Sequence, residues 1–546
     1  MKTQKSSERR HAPPTPVAVG SRKQLFVDEA FFAVTRNVGL TMNPPEKTYE
    51  ATIGPDRPWE MSIGNGSVVQ VGDEYRMYYS ASYVYQDGSS AASVEPSSRL
   101  CMAVSSDGIH WSKPSLGLVE FQGSKDNNIV FPGEDAWLCG ATVFLDTRPG
   151  LPDDEAFKGI FRWTPPGVPP SEISEWVFKS PDGLHWTPMR DRQAFRYSDT
   201  DHAVFWDERI GKYVVYMRYN SSPYYNAERV IHEGFRHGRP MVFANGVALR
   251  DGKVPGHDYC APDDGRIYTS MSYRKVGRYE LDNLSLWDEP ANWGGTPPVT
   301  ALDFDESDPP GMDIDNCGAL KYPFADNVYL MFPAMNCHLP DPPAGIGHND
   351  AIFEVRLATS RDGVRYHYPA SRSLYLPLGV QGEFDSGLVS VLPGSIVRNG
   401  PRLYQYYHAR DYALRHGVGW RELIKEDRYR PPVISRMVTR LDGFVSVDAP
   451  YEGGEFTTPP MTFEGDSLQL NVQTSFPGCV KVELLSQGQP VAGRKLDNAD
   501  PISGNFIDRA CTWNGNSEVS ALAGKPVQLR FVMRDAKLYA FQFMSS

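Results

Sequence analysis

The chain contains no long apolar run. Nothing in its 546 residues approaches the length needed to cross a bilayer, and the opening "MKTQKSSERRHAPPTPVAVG" lacks the apolar core of a secretory signal. As written it reads as a soluble, cytoplasmic protein, and an incomplete N-terminus would be needed to make it periplasmic or secreted. Cysteine is sparse: Cys101, Cys139, Cys260, Cys317, Cys337, Cys479 and Cys511 are widely spaced, odd in number and without a C-x-x-C pair. That spacing argues for buried reduced thiols and against a structural zinc site, so no metal ligand set is assigned. Basic residues do not cluster, and the net charge of −12 excludes a nucleic-acid footprint. A phosphate-cradling glycine loop and a dinucleotide fingerprint are both missing, so no organic cofactor is implied. Helix-period patterning is scarce throughout.

What the chain does have is β-patterning that repeats. With 40% hydrophobic and 12% aromatic residues it can fill the cores of two or three domains. The string "SSDGIHWSKP" (Ser105 to Pro114) returns as "SPDGLHWTPM" and "SRDGVRYHYP", with weaker forms at "YELDNLSLWDEP" and "RLDGFVSVDA". An Asp-Gly pair between alternating segments is a hairpin signal, because tight turns need a left-handed backbone that Gly and Asp tolerate. Asp107, Asp182, Asp362 and Asp442 therefore read as turn residues, and Trp111, Trp186 and Tyr366 as hairpin core. Each turn follows three short alternating segments, in the first case "GSVVQV", "EYRMYYSA" and "RLCMAVSS". Five such units, recurring every roughly eighty residues, predict an all-β fold with a five-bladed β-propeller over residues 21–455. "KQLFVDEAFFAV" (Lys23 to Val34) is expected to close the ring as an extra strand. Residues 1–20 are expected to be disordered, and residues 456–546, which alternate without the repeat, to form a C-terminal β-sandwich.

In a propeller the first strand of each blade lines the axis, so functional groups are sought just before it. The five lead-in segments carry Glu60; Glu134 and Asp135; Asp199 and Asp201; Asp313 and Asp315; and Glu383 and Asp385. Carboxyls converging on an aromatic-rich funnel suit cleavage of a glycosidic bond, which needs one protonated acid and one ionised carboxylate. Taken singly, each of these acids could instead cap a turn. His202 follows Asp201 directly, and His338 and His408 follow second-strand segments. Arg218, a charge within the apolar "VVYMRYN", either pairs with an acid of the third unit or holds a substrate carboxylate or sulfate. Asp313, Asp315 and Asn316 crowd together as a structural calcium ion would require, but without a dedicated loop spacing. The segment Ser221 to Ser270 is a long excursion of the kind that shapes specificity or packing.

The blade repeat, the S-x-D-G-x-x-W/Y turns and the acidic lead-ins resemble the five-bladed propeller glycoside hydrolases, the family 32 and family 43-like enzymes. "LFVDE" and "RLDGFVS" are similar to strings in a bacterial branch of that group. The resemblance implies a glycosidase acting on a plant or algal oligosaccharide. It implies Asp201 as base or nucleophile, Asp315 as the orienting acid and Glu383 as general acid, with Glu60, Asp199, Arg218, Asp313, Asp385 and His202 as substrate contacts. The chain departs from the family in offering Glu60 and Asn65 in the first unit and in lacking the W-x-N-D-P-N and R-D-P motifs. A non-catalytic glycan- or protein-binding propeller, and a phosphorylase or lyase on the same scaffold, remain the alternatives. The sequence leaves the oligomeric state open.

Overall fold

The structure, a computed structural model, describes residues 15–83, 97–131, 141–163, 174–194, 200–220, 231–236, 239–244, 267–268, 274–287, 298–303, 307–308, 312–337, 352–412 and 429–545. Regular structure among them is strand, interrupted only by short 3₁₀ turns. No helix among them is long and apolar enough to cross a membrane. The chain divides into two compact units, one of residues 44–322 and 327–441, the other of residues 1–43, 323–326 and 442–546.

In the larger unit the sheets have a propeller-like arrangement. Three are four-stranded antiparallel meanders that begin at Ser62–Val71, Thr142–Leu145 and Ala203–Asp207. Ser62–Val71 neighbours Thr142–Leu145, which neighbours Ala203–Asp207. That strand touches Leu320–Lys321 and Leu388–Asn399, and Leu388–Asn399 returns to Ser62–Val71. Their shared faces are apolar: Tyr78, Leu100, Val143, Phe161 and Phe178, for example, form one buried cluster spanning the first two sheets. The "GALKYPF" region departs from a simple four-stranded unit. Pro333, which has no N–H to give a ladder, separates Tyr329–Met331 from Ala334–Cys337, and the two pieces belong to different sheets. Within the Ser221 to Ser270 excursion, Ile231–Arg236, Arg239–Ala244 and Ile267–Tyr268 form a small sheet of their own.

The repeated turn is built differently from a type I′ hairpin. Only its glycine is left-handed, with φ of 71° at Gly108, 77° at Gly183 and 72° at Gly363. Asp107 Oδ1 accepts the amides of Ile109 (2.7 Å) and His110 (2.8 Å), and Ser105 Oγ accepts that of Gly108 (2.9 Å). The same bonds recur around Asp182 and Asp362, and such side-chain capping is what Ser and Asp contribute to turns. Each turn also locks against a tyrosine on the second strand of another sheet. The Tyr406 hydroxyl donates to the Gly108 carbonyl (2.6 Å) and the Tyr216 hydroxyl to that of Gly363 (2.5 Å). Trp111 packs edge-on to Tyr406, Trp186 to Tyr78 and Tyr366 to Tyr216, so these aromatics are packing residues.

Two expected strands lie elsewhere. The last sheet, Leu388–Asn399, Arg402–Arg410 and Val433–Arg440, takes its fourth strand from Glu46–Ile53, not from Lys23 to Val34. Lys23 to Val34 belongs to the smaller unit because Phe26 and Phe31 bury there against Phe456, Phe531 and Phe541. The strand Val445–Ala449 likewise pairs with Gly39–Met42 and Gln528–Met544. Asp442 is a turn residue, as expected, left-handed at φ 64° between Val433–Arg440 and Val445–Ala449, and its buried carboxylate is held by Lys23 (2.8 Å) and Asn471 (3.0 Å). In the segment expected to be disordered, Val17–Gly20 is a strand paired in parallel with Met461–Phe463, and residues 1–14 lie outside the described residues. The smaller unit is organised by two long antiparallel strands, Ser467–Ser486 and Gln528–Met544, over a continuous apolar core.

Candidate active site

Asp201 and His202 lead into Ala203–Asp207, the first strand of its sheet. Asn316, at the end of Met312–Asn316, donates from Nδ2 to Asp201 Oδ2 (3.4 Å) and to Ser390 Oγ (3.2 Å). Its own carbonyl accepts the Cys317 amide (2.8 Å), which fixes the side chain so that its nitrogen faces those two groups. Asp201 is 1% exposed, and its Oδ1 has no hydrogen-bond partner among the described residues. Burial pushes its carboxyl well above the ordinary aspartate range. Glu175 and Asp315 add to that shift, and the hydrogen bond from Asn316 opposes it. The group therefore holds its proton where a solvated aspartate would have lost it.

Glu175 opens the strand Ser174–Ser180 and stands directly opposite Arg162. It is fully buried, and burial raises its carboxyl, opposed first by His202. The two side chains lie 3.6 Å apart, Nε2 to Oε2, and the imidazole rests against the Trp287 ring. Asp315 takes donors from Arg218 (Nη1 to Oδ1, 2.9 Å) and from Arg274 on the same oxygen. Arg218 thus pairs with an acid of the fourth unit, where an acid of the third was expected. A carboxyl kept protonated by burial, linked through Asn316 to the segment that carries a carboxylate gripped by two guanidiniums, is a division of labour suited to acid catalysis beside charge stabilisation.

The remaining expected residues that the structure describes make contacts of their own. Glu383 Oε2 accepts the Val380 amide (2.7 Å), and no described contact joins it to Asp201 or Asp315. Asp385 is buried and paired with Lys47 (2.7 Å), with the Tyr407 hydroxyl at 3.3 Å. Gly379 lies against both acids: a Cβ on it would sit 1.9 Å from Asp385 Oδ1 and 2.6 Å from Glu383 Oε2. Glu60 is held by groups of its own unit. Its carboxylate accepts from Lys113 (2.6 Å), the Tyr79 hydroxyl (2.6 Å) and the Asp56 amide (3.2 Å) in a buried network that includes Asn128 and Trp59. Asp199, Glu134, Asp135, His338 and the Asp313 side chain lie outside the described residues. No group of three or more potential metal ligands occurs among the described residues.

Glu175, Ser390 and Arg274 are the members of the centre that sequence reasoning missed. Glu175 and Arg162 had a usable signal, since each is a charge in an apolar strand, the cue that singled out Arg218.

No protein-family model and no curated protein matches the chain. Among solved structures, it is similar to an N-acetylgalactosamine deacetylase from F. plautii in complex with blood group B trisaccharide, at 14% identity over 74% of this chain and 96% of that one, with a TM-score of 0.41. A thermostable family-43 glycoside hydrolase matches at 14% identity over 72% and 96%, TM-score 0.38. A member of the GH130 family of mannoside phosphorylases, which contains glycoside hydrolases that target β-1,2-mannosidic linkages in Candida mannan, matches at 13% over 73% and 94%, TM-score 0.34. Similarity of this degree leaves the site to be read from the chain's own residues.

Proposed function

We propose that the chain is a glycan-active enzyme, a hydrolase of O-glycosidic bonds on a five-bladed propeller, with a C-terminal β-sandwich and a carbohydrate as its partner. The observations that carry this reading are Asp201, buried beside Asn316 with a raised proton affinity, and Asp315, the residue before Asn316, in the grip of Arg218 and Arg274. Asp201 serves as general acid, a role opposite to the base or nucleophile expected from the resemblance, because a carboxyl that keeps its proton cannot attack. It gives that proton to the glycosidic oxygen as the C–O bond breaks, and the bond's electrons leave with the alcohol. Asp315 stabilises the developing positive charge on the sugar and takes the proton of the attacking water. The reaction as proposed uses side chains alone, without an organic cofactor.

The test is reducing-sugar release across a panel of plant and algal oligosaccharides by the wild type, Asp201→Asn and Asp315→Asn, with thermal melting to check folding. Loss of about 10²–10⁴-fold in folded variants supports the assignment. Unchanged cleavage by either variant, or no cleavage of any substrate by the wild type, refutes it. Phosphorolysis is the second reading, favoured by the two guanidiniums at Asp315, which suit a phosphate as well as a carboxylate. Assays with added inorganic phosphate separate the two by whether a sugar phosphate is released.

A further inference from the structure

At Tyr49 the backbone is left-handed, with φ of 57°. Seven other described non-glycine residues share that region, and all are Asn, Asp or Gln, so Tyr49 is the one aromatic among them. A bulky residue is a conformational outlier there, and strain of this kind persists where the side chain has a use. Burial does not supply that use, since Tyr49 is 59% exposed. The strain comes from a bulge. In the pairing of Glu46–Ile53 with Val433–Arg440, Lys47 lies opposite Met437 and Ala51 opposite Ser435, so Thr48, Tyr49 and Glu50 together face Arg436. Both flanks of the bulge are fastened to Arg436: Thr48 Oγ1 donates to its carbonyl (2.9 Å), and the Glu50 carboxylate pairs with its guanidinium (3.3 Å). Two residues before Tyr49, Lys47 holds buried Asp385, whose Oδ1 has no hydrogen-bond partner among the described residues and whose neighbour across Gly379 is Glu383.

The geometry points to a sugar-binding subsite at this sheet edge, with the Tyr49 ring stacking on the C–H face of a pyranose or furanose and the Glu50 carboxylate, its neighbour in the bulge, serving its hydroxyls. The assignment rests on the proposed glycan-directed function for the class of ligand. The surroundings favour a neutral, polyhydroxylated molecule over a nucleic acid or an anionic lipid surface. The cations here are already matched, Lys47 by Asp385 and Arg436 by Glu50, so the edge presents a fixed aromatic face without a basic field.

The experiment uses the full chain carrying Asp201→Asn, so that turnover is silenced, with and without Tyr49→Ala, Tyr49→Gly or Tyr49→Phe. The probes are methyl β-D-galactopyranoside, methyl β-D-xylopyranoside, methyl α-D-mannopyranoside and methyl α-L-arabinofuranoside in saturation-transfer NMR, with thermal melting alongside. At least one probe is expected to bind the parent, to bind about threefold to tenfold more weakly in the Ala and Gly variants, and to be retained by Phe. The Gly variant is expected to melt no lower than the parent, because glycine relieves the left-handed strain. Equal binding without Tyr49, binding of none of the four probes, or a large fall in melting temperature in the Gly variant, which would make Tyr49 a packing residue, each overturns the proposal. If the subsite survives and the oligosaccharide screen shows no cleavage, the hydrolytic reading falls alone; the converse pattern removes only the subsite.

Discussion

Replacing the Asp201 carboxyl by an amide keeps its shape and removes a group that burial penalises when charged. Its proton affinity is raised in the folded state, so folding takes up a proton between the ordinary aspartate range and the native value. Asp201 therefore contributes stability fully only below about pH 4, and that contribution is lost as pH rises through the native value. Asp201→Asn should thus melt higher than the wild type at pH 7–8, with the two converging toward pH 4, while activity is lost throughout. Melting curves across that range are the check, and a variant less stable at pH 8 would contradict the buried-acid assignment. His408 has the opposite sign. Burial, with Arg410 nearby, pulls it from its ordinary value of 6.5 to about 3, so its contribution is present above the ordinary value and is lost as pH falls. In His408→Gln the acid limb of a stability-versus-pH curve between about pH 6.5 and 3 should be shallower than in the wild type.

The S-x-D-G turns show how far a local pattern can be read. Their positions and the packing role of the following aromatic were legible, because Asp-Gly after an alternating strand has few other uses. Their purpose was not, since the tyrosine each turn meets comes from a different repeat. Gly183 combines φ of 77° with a Cβ position 2.3 Å from the Tyr78 hydroxyl, whereas Gly211, with φ of 64°, has nothing within 4 Å of its Cβ. Gly183→Ala should cost about 1–3 kcal/mol, and Gly211→Ala only the left-handed penalty of about 1 kcal/mol. Urea midpoints of the two variants measure the difference. Tyr406→Phe removes one neutral hydrogen bond, to Gly108, and should cost about 1 kcal/mol by the same measurement.

At the scale of the whole chain, the all-β class and the recurrence of the sheets were legible because each repeat is local. The closing partners were not. Glu46–Ile53 carries a polar, weakly alternating pattern, while "KQLFVDEAFFAV" looks more like a strand and is drawn instead into the phenylalanine core of the smaller unit. The site was legible to a similar depth: Asp201 and Asp315 were found as acids preceding first strands, but Glu60 occupies the same kind of position and is consumed by Lys113 and Tyr79. Nothing in the sequence separates the two cases, because the difference lies in which distant cation the fold brings up. If Glu46–Ile53 holds the last sheet together, Met437→Pro, on the strand that pairs with it, should unfold the larger unit at markedly lower urea than Arg398→Pro, on a strand that does not pair with it.

Pairing Glu46–Ile53 with Val433–Arg440 also sets a timetable for synthesis. The strand leaves the ribosome nearly four hundred residues before its partner does, and at about 5–20 residues per second it waits on the order of 20–80 s with its ladder groups unclaimed. The smaller unit faces the same delay, since Gln24–Leu25 waits for Gln528–Met544 and Val34–Arg36 for Gly454–Thr457. A nascent chain of this kind cannot finish either unit early, so its yield in a cell should depend on what shelters those first strands while the remainder is being made.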